Sequence, residues 1–227
     1  MRKQMIKKPL HEFQAKYTAD SVNLIQELSL LGKLKEKGPW LAGGSLLRLV
    51  NNEPISRGDL DFYFPHSYSS REFVNKLANE TIRSRRAYNN TTKSGLNIQL
   101  ITEYYGSIEE VFKEFDFSIC QFATDGYYIY ASEQTWNDAE NRTLRPVKED
   151  EEFWYYSDLR LSKYFFRGYI PYTEKLIQHW FYNHWHQIVY SEKYTEEDLR
   201  IEKIPYRKSV KVNLEMPRIP MGDFLFQ

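Results

Sequence analysis

"LAGGSLLRLVNNEPISRGDLDFYF", residues 41–64, carries the reading of the fold. The apolar pair Leu41-Ala42 runs into Gly43-Gly44-Ser45, so a short buried strand ends in a glycine turn. "SLLRLVN" then predicts a helix with Ser45 near its N-terminus. "DLDFYF" at 59–64 predicts a strand, rich in aromatics and stopped by Pro65. Alternate side chains of a strand share a face. Asp59 and Asp61 therefore point one way, while Leu60 and Phe62 turn into the core.

Two carboxylates two strand steps apart can share hard cations, and Mg²⁺ characteristically bridges carboxylates to substrate phosphates. Two such ions can activate an attacking hydroxyl and stabilise a leaving pyrophosphate. The Gly43-Gly44-Ser45 turn needs no side-chain room, so backbone N–H groups and the Ser45 hydroxyl can approach phosphate oxygens. The helix that begins there adds a partial positive charge. Asp-x-Asp alone and Gly-Gly-Ser alone are each commonplace surface features. Their conjunction is more specific, because the turn follows an apolar strand and residues 46–58 separate Ser45 from Asp59.

This arrangement resembles the signature of the nucleotidyltransferase superfamily that includes DNA polymerase beta. "LNIQLIT", "GSIEEVFKEFDFSICQFATDG", "NDAENRTLRPV" and "DLRLSKYFFRGY" then follow in the order of the later motifs of bacterial-type CCA-adding enzymes and poly(A) polymerases. The resemblance spans residues 36–170, specific in order and weak in identity. It implies an α+β fold: a polymerase beta-like head with a small mixed sheet and helices, then a helical neck. It also implies that Asp116 lies at the sugar or completes the metal site, and that Arg145, Arg160 and Lys163 lie near base or phosphates. The sequence departs from the family pattern at four places. Cys120 stands where the family has Asn, Glu114-Phe115 replaces a pair of arginines, and Ser157 precedes Arg160 where an Asp is usual. Gln99 occupies a position where a third acidic group is often found.

The rest of the chain bounds this reading. With 31 basic and 31 acidic residues among 227, there is no global electrostatic footprint for nucleic acid, and any polyanion site must be local. Three basic runs qualify: 1–8, 83–93 (with Arg83, Arg85 and Arg86) and 206–211. Arg48, on the helix after the glycine turn, is a candidate phosphate contact. A single cysteine, Cys120, builds neither a disulfide framework nor a zinc site, so a reducing, cytoplasmic setting is expected. No run approaches the ~18 apolar residues of a membrane helix, and no membrane partner is expected. Helices are predicted over 19–32, 69–80 and 107–115, and "FDFSICQFATDGYYIYAS" predicts a strand, an Asp-Gly turn and a second strand. His179, His184 and His186 fit no zinc spacing and predict helical packing among aromatics. The acidic stretch 147–152 marks a boundary between a head, 1–150, and a mostly helical region, 151–227.

The sequence thus predicts a template-independent transferase that moves a nucleoside monophosphate from an NTP, ATP or CTP, to a hydroxyl. Asp59 and Asp61 would hold two Mg²⁺ and Gly43, Gly44 and Ser45 the triphosphate. The expected acceptor is an RNA 3′ end, tRNA foremost, although a chain stopping soon after the neck speaks against a full CCA-adding enzyme. The rival acceptors are a protein or small-molecule hydroxyl, as in toxin or defence chemistry. A third reading is a non-catalytic binding protein that retains the fold.

Overall fold

The structure, a computed structural model, describes residues 5–14, 38–53, 55, 58–67, 71, 82–83, 87–91, 95–148, 153 and 158–179. They fall within one compact unit, Met1–His184. The helices expected at 19–32 and 69–80, His184, His186 and the basic runs at 84–86 and 206–211 lie outside the described residues.

Among the described residues, eight strands form one sheet. They are β1 (Met5–Pro9), β2 (Trp40–Ala42), β3 (Leu60–Phe64), β4 (Ile82–Arg83), β5 (Ala87–Thr91), β6 (Asn97–Tyr104), β7 (Ala123–Thr124) and β8 (Tyr128–Ser132). Their spatial order is β1-β8-β7-β2-β3-β6-β5-β4. β3 and β6 run parallel and the remaining pairs antiparallel, so the sheet is mixed as expected. The central strands carry the apolar content that a doubly covered position requires. Trp40, Leu41 and Ala42 of β2 and Leu60, Phe62 and Phe64 of β3 are all buried.

Five short helices are bounded within the described residues. α1 (His11–Gln14) follows β1, and α2 (Gly44–Val50) follows the glycine turn. α3 (Ile108–Phe112) starts at Ser107, whose hydroxyl accepts from the Glu110 N–H. α4 (Glu133–Glu140) is capped the same way by Ser132, which accepts from the Thr135 N–H. α5 (Asp158–Phe166) carries the expected neck helix. A two-stranded parallel pair, β9 (Thr143–Leu144) with β10 (Ile170–Pro171), ties the segment after α4 to the segment after α5.

Two expectations are corrected. The first half of "FDFSICQFATDG" is no sheet strand. Asp116 and Phe117 pair instead with the segment after β9: Val147 N–H donates to the Asp116 carbonyl at 2.8 Å and Ser118 N–H to the Arg145 carbonyl at 2.8 Å. A 3₁₀ turn over Ser118–Cys120 follows, and only Ala123–Thr124 joins the sheet before the Asp-Gly turn. That turn is held by Asp125, which accepts from the Tyr127 and Tyr128 N–H groups and the Tyr130 hydroxyl. The second correction concerns "MIKKP", read as part of a basic run. It forms the edge strand β1, in register with β8 from Met5↔Ser132 to Pro9↔Tyr128. Lys7 and Lys8 lie over the Tyr128 and Trp136 rings at 4.7 and 4.0 Å.

Candidate active site

Strand register assembles the site. β2 and β3 pair Ala42 with Asp61, so the turn that follows Ala42 opens beside the Asp61 carboxyl. Gly43 adopts φ 99° and ψ −151°, a conformation essentially reserved for glycine. Space imposes the same choice. A Cβ at Gly43 would stand 3.2 Å from Phe115 Cε1 and 3.5 Å from Asp61 Oδ2. The Gly43 carbonyl accepts from the Leu46 and Leu47 N–H groups and so starts α2 at Gly44. Ser45 sits in the first turn of α2. Its hydroxyl is buried and has no hydrogen-bond partner among the described residues.

The two carboxylates differ in setting. Asp59 is exposed and accepts from Gln99 Nε2 at 3.4 Å. Asp61 is half-buried, and desolvation together with the neighbouring Asp59 charge pushes its carboxyl from 3.8 up to about 7. Arg160 and Lys163 act in the opposite direction. The neck helix α5 therefore brings both cations within electrostatic reach of Asp61. Gln99 faces Asp61 across the β3–β6 register, so the position noted for a third carboxylate adjoins the pair but carries an amide.

The remaining sequence candidates divide. Asp116 and Arg160 form an ion pair, Arg160 Nη1 to Asp116 Oδ2 at 2.5 Å, on the neck side of the cleft. Arg145 forks onto the buried Asp138, with Nε to Oδ2 at 3.0 Å and Nη2 to Oδ1 at 3.3 Å. It also stacks on the Tyr172 ring at 3.3 Å. Ser118 and Gln134 complete the Asp138 contacts at 2.6 and 2.9 Å. Arg48 pairs with Glu53 at 3.8 Å. The structure thus brings Gly43, Asp59, Arg160 and Lys163 near Asp61, and engages Arg145 and Arg48 with acidic partners of the fold.

Several buried groups around the Asp61 site were not among the sequence candidates. Tyr164 is buried on α5, and its hydroxyl would lie 3.6 Å from a Cβ placed at Gly44. That hydroxyl also meets Cys120 Sγ at 3.0 Å. Burial pushes the Cys120 thiol up to about 11, so it stands here as a neutral thiol. Tyr63 follows Asp61 by two on β3, packs edge-on against Tyr105 and Phe115, and has its hydroxyl raised well above the usual range by burial. Strand periodicity points to Tyr63 directly. Nothing local in the sequence points to Tyr164.

Comparison with known proteins adds the family. A model described as Gabija anti-defense 2 family protein matches residues 4–142. The chain belongs to that family. A relative named Gabija anti-defense 2, from Bacillus phage SPbetaL7, is 29% identical over 100 residues, 42% of this chain and 24% of the relative. Among solved structures, the Thermotoga maritima CCA-adding enzyme complexed with tRNA superposes with a TM-score of 0.59 at 16% identity, over 77% of this chain and 45% of that enzyme. A CCA-adding enzyme in complex with ATP gives 0.60 at 15% identity, over 81% and 48%. At such identities the likeness is one of fold, and it is the nucleotidyltransferase fold that the sequence predicted. The chain spans less than half the length of those enzymes, and the match covers about a quarter of the phage relative. Among the described residues no helix is long and apolar enough to cross a membrane.

Proposed function

We propose that this member of the Gabija anti-defense 2 family is a nucleotidyltransferase. An acceptor hydroxyl oxygen forms a bond to the α-phosphorus of an NTP, the bond to the β-phosphate oxygen breaks, pyrophosphate leaves, and the hydroxyl proton passes to solvent. The observation that carries the reading is the half-buried Asp61 beside Asp59, facing a glycine turn and overlooked by Arg160 and Lys163.

The donor set fits Mg²⁺. A half-buried carboxylate crowded by an exposed one holds charge that a divalent ion neutralises, and no cluster of three acidic or imidazole ligands occurs among the described residues. Substrate phosphates would therefore have to supply the remaining oxygens. Bound there, Mg²⁺ supplies Lewis acidity at the phosphates and lowers the cost of bringing an anionic substrate to two carboxylates. The chain's own part is positioning and charge. Gly43 and Gly44 allow close approach of backbone to phosphate, and Arg160 and Lys163 offset charge on the neck side.

For the acceptor, the family name favours defence chemistry over the RNA 3′ end expected from the sequence. We favour a hydroxyl on a component of the antiviral defence that the family counters. Zero net charge supports this over a long-RNA acceptor. Labelling settles the matter. The protein is incubated with each α-labelled NTP and Mg²⁺, in extracts of cells with and without that defence, and label is followed into RNA, protein and small-molecule fractions. Label that enters protein or small molecules only with the defence present, and not with Asp61→Ala, supports the reading. Label in RNA alone restores the tRNA-type acceptor, and label in no fraction sinks the transferase.

A further inference from the structure

Behind the cleft, one carboxylate gathers three guanidiniums. Glu53 Oε2 lies 2.7 Å from Arg167 Nη2 and 3.8 Å from Arg48 Nη1, and Oε1 lies 3.3 Å from Arg142 Nη1. The three arginines come from different places: α2, the turn after α4, and the turn after α5. Glu53 is itself fixed, because its N–H donates to the Arg48 carbonyl at 2.8 Å. Two residues earlier Asn51 Nδ2 donates to the Tyr169 hydroxyl, two residues beyond Arg167. Arg142 stacks over the Tyr169 ring at 5.2 Å, and its carbonyl accepts from Ile170 N–H at 2.7 Å. Its backbone is held at φ 53°, a left-handed conformation uncommon outside glycine. Such conformations persist only where surrounding contacts fix them.

α2 has the glycine turn at its first end and this cluster just past its last, about 10 Å away at 1.5 Å per residue. α5 runs between the same two places. Its Arg160, Lys163 and Tyr164 attend the cleft, and its sequel Arg167 and Tyr169 sit in the cluster. Tyr164 also packs edge-on against Tyr169 at 5.8 Å and lies under Arg167. A helix pinned at one end has its other end placed by the same contacts.

We propose that Glu53 is a positioning residue: through Arg167 and Arg142 it seats α5 on α2, and so places Arg160 and Lys163 over the Asp59–Asp61 pair. Its consequence for substrate rests on the nucleotidyltransferase reading, whereas the seating itself does not.

The chain's single cysteine makes the seating measurable without any nucleotide. Cys120 is buried against the Tyr164 hydroxyl of α5, so lifting α5 uncovers it to a soluble disulfide reagent. In the full chain, Glu53→Gln should speed Cys120 labelling at least ~10-fold, because local opening becomes easier. Arg167→Met should act alike, and Glu53→Asp should stay within about threefold of wild type. Ser107→Ala, which loses the α3 cap, controls for lost stability and should label within about threefold of wild type. A folded Glu53→Gln and a folded Arg167→Met that label at the wild-type rate, or no faster than Ser107→Ala, overturn the proposal. In a second arm, affinities for MgATP and MgCTP are measured. Glu53→Gln should weaken binding at least ~5-fold, yet add less than about twofold in an Arg160→Gln background. Fully additive losses overturn the route through α5. A wild type that binds neither nucleotide overturns the transferase reading, and the labelling arm still decides the seating.

Discussion

Replacing Asp61 by Asn should make the metal-free protein more stable, and only above the acid range. The folded carboxyl titrates near 7, against 3.8 as its ordinary value. Between those limits the folded chain holds a proton that the unfolded chain has released. Stability from this group is therefore complete below about 3.8, falls as pH rises towards 7, and stays lost above. At about 1.4 kcal/mol per unit, the cost of ionising Asp61 in the fold has a ceiling of about 4 kcal/mol. An isosteric amide that keeps part of the polar burden should recover about 2–4 kcal/mol at pH 8, or at least ~4 °C in Tm for a chain of this size. The assay is thermal unfolding of wild type and Asp61→Asn from pH 4 to pH 8, with and without Mg²⁺. The gain should vanish at pH 4. Added Mg²⁺ should raise the wild-type Tm and leave the variant's nearly unchanged, since only the intact pair binds the ion. A variant no more stable at pH 8, or equally stabilised at pH 4 and pH 8, refutes the argument.

Three further outcomes follow from the same geometry. Gly43→Ala forces a Cβ into a glycine-only conformation against Phe115, and should cost about 2 kcal/mol or more, read as a Tm loss of at least ~4 °C. Arg145→Met strands the buried Asp138 carboxylate, and should destabilise by about 3 kcal/mol at neutral pH in denaturant unfolding, a larger loss than Ser107→Ala shows. Arg160→Lys keeps the charge but loses the fork; it should blur the preference among the four NTPs in a competition assay if Arg160 reads a base, and slow all four alike if it holds phosphate.

The parts of the fold legible in the sequence were those fixed by local pattern. Leu41-Ala42-Gly43-Gly44 and Asp59 to Phe64 gave strand, turn and strand, because runs of apolar and aromatic residues and a glycine turn are written in consecutive residues. Their pairing is what creates the cleft, and the Ala42↔Asp61 register follows from both strands being buried at the sheet centre. The helix expected over 107–115 and the Asp-Gly turn were also legible from consecutive residues. The segment Asp116–Cys120 was misread, since its apolar alternation is strand-like while its hydrogen bonds go to Arg145 and Val147, distant in sequence. Lys7 and Lys8 hid β1, because charged residues suit an edge strand as well as a solvated tail. Arg48 was expected at phosphate from its place after the glycine turn, and Arg145 near base or phosphates from the family resemblance. Their partners, Glu53 and Asp138, are set by tertiary packing that no local signal encodes.

The central claim is that Asp59 and Asp61 form the metal and triphosphate site of a nucleotidyltransferase. A crystal structure of the full chain soaked with Mn²⁺ and a non-hydrolysable NTP, read by anomalous scattering, tests it most directly. Anomalous peaks are expected between the Asp59 and Asp61 carboxylates and the phosphates, with the triphosphate along the Gly43-Gly44 turn. Peaks elsewhere, or a nucleotide bound away from β3, would contradict it.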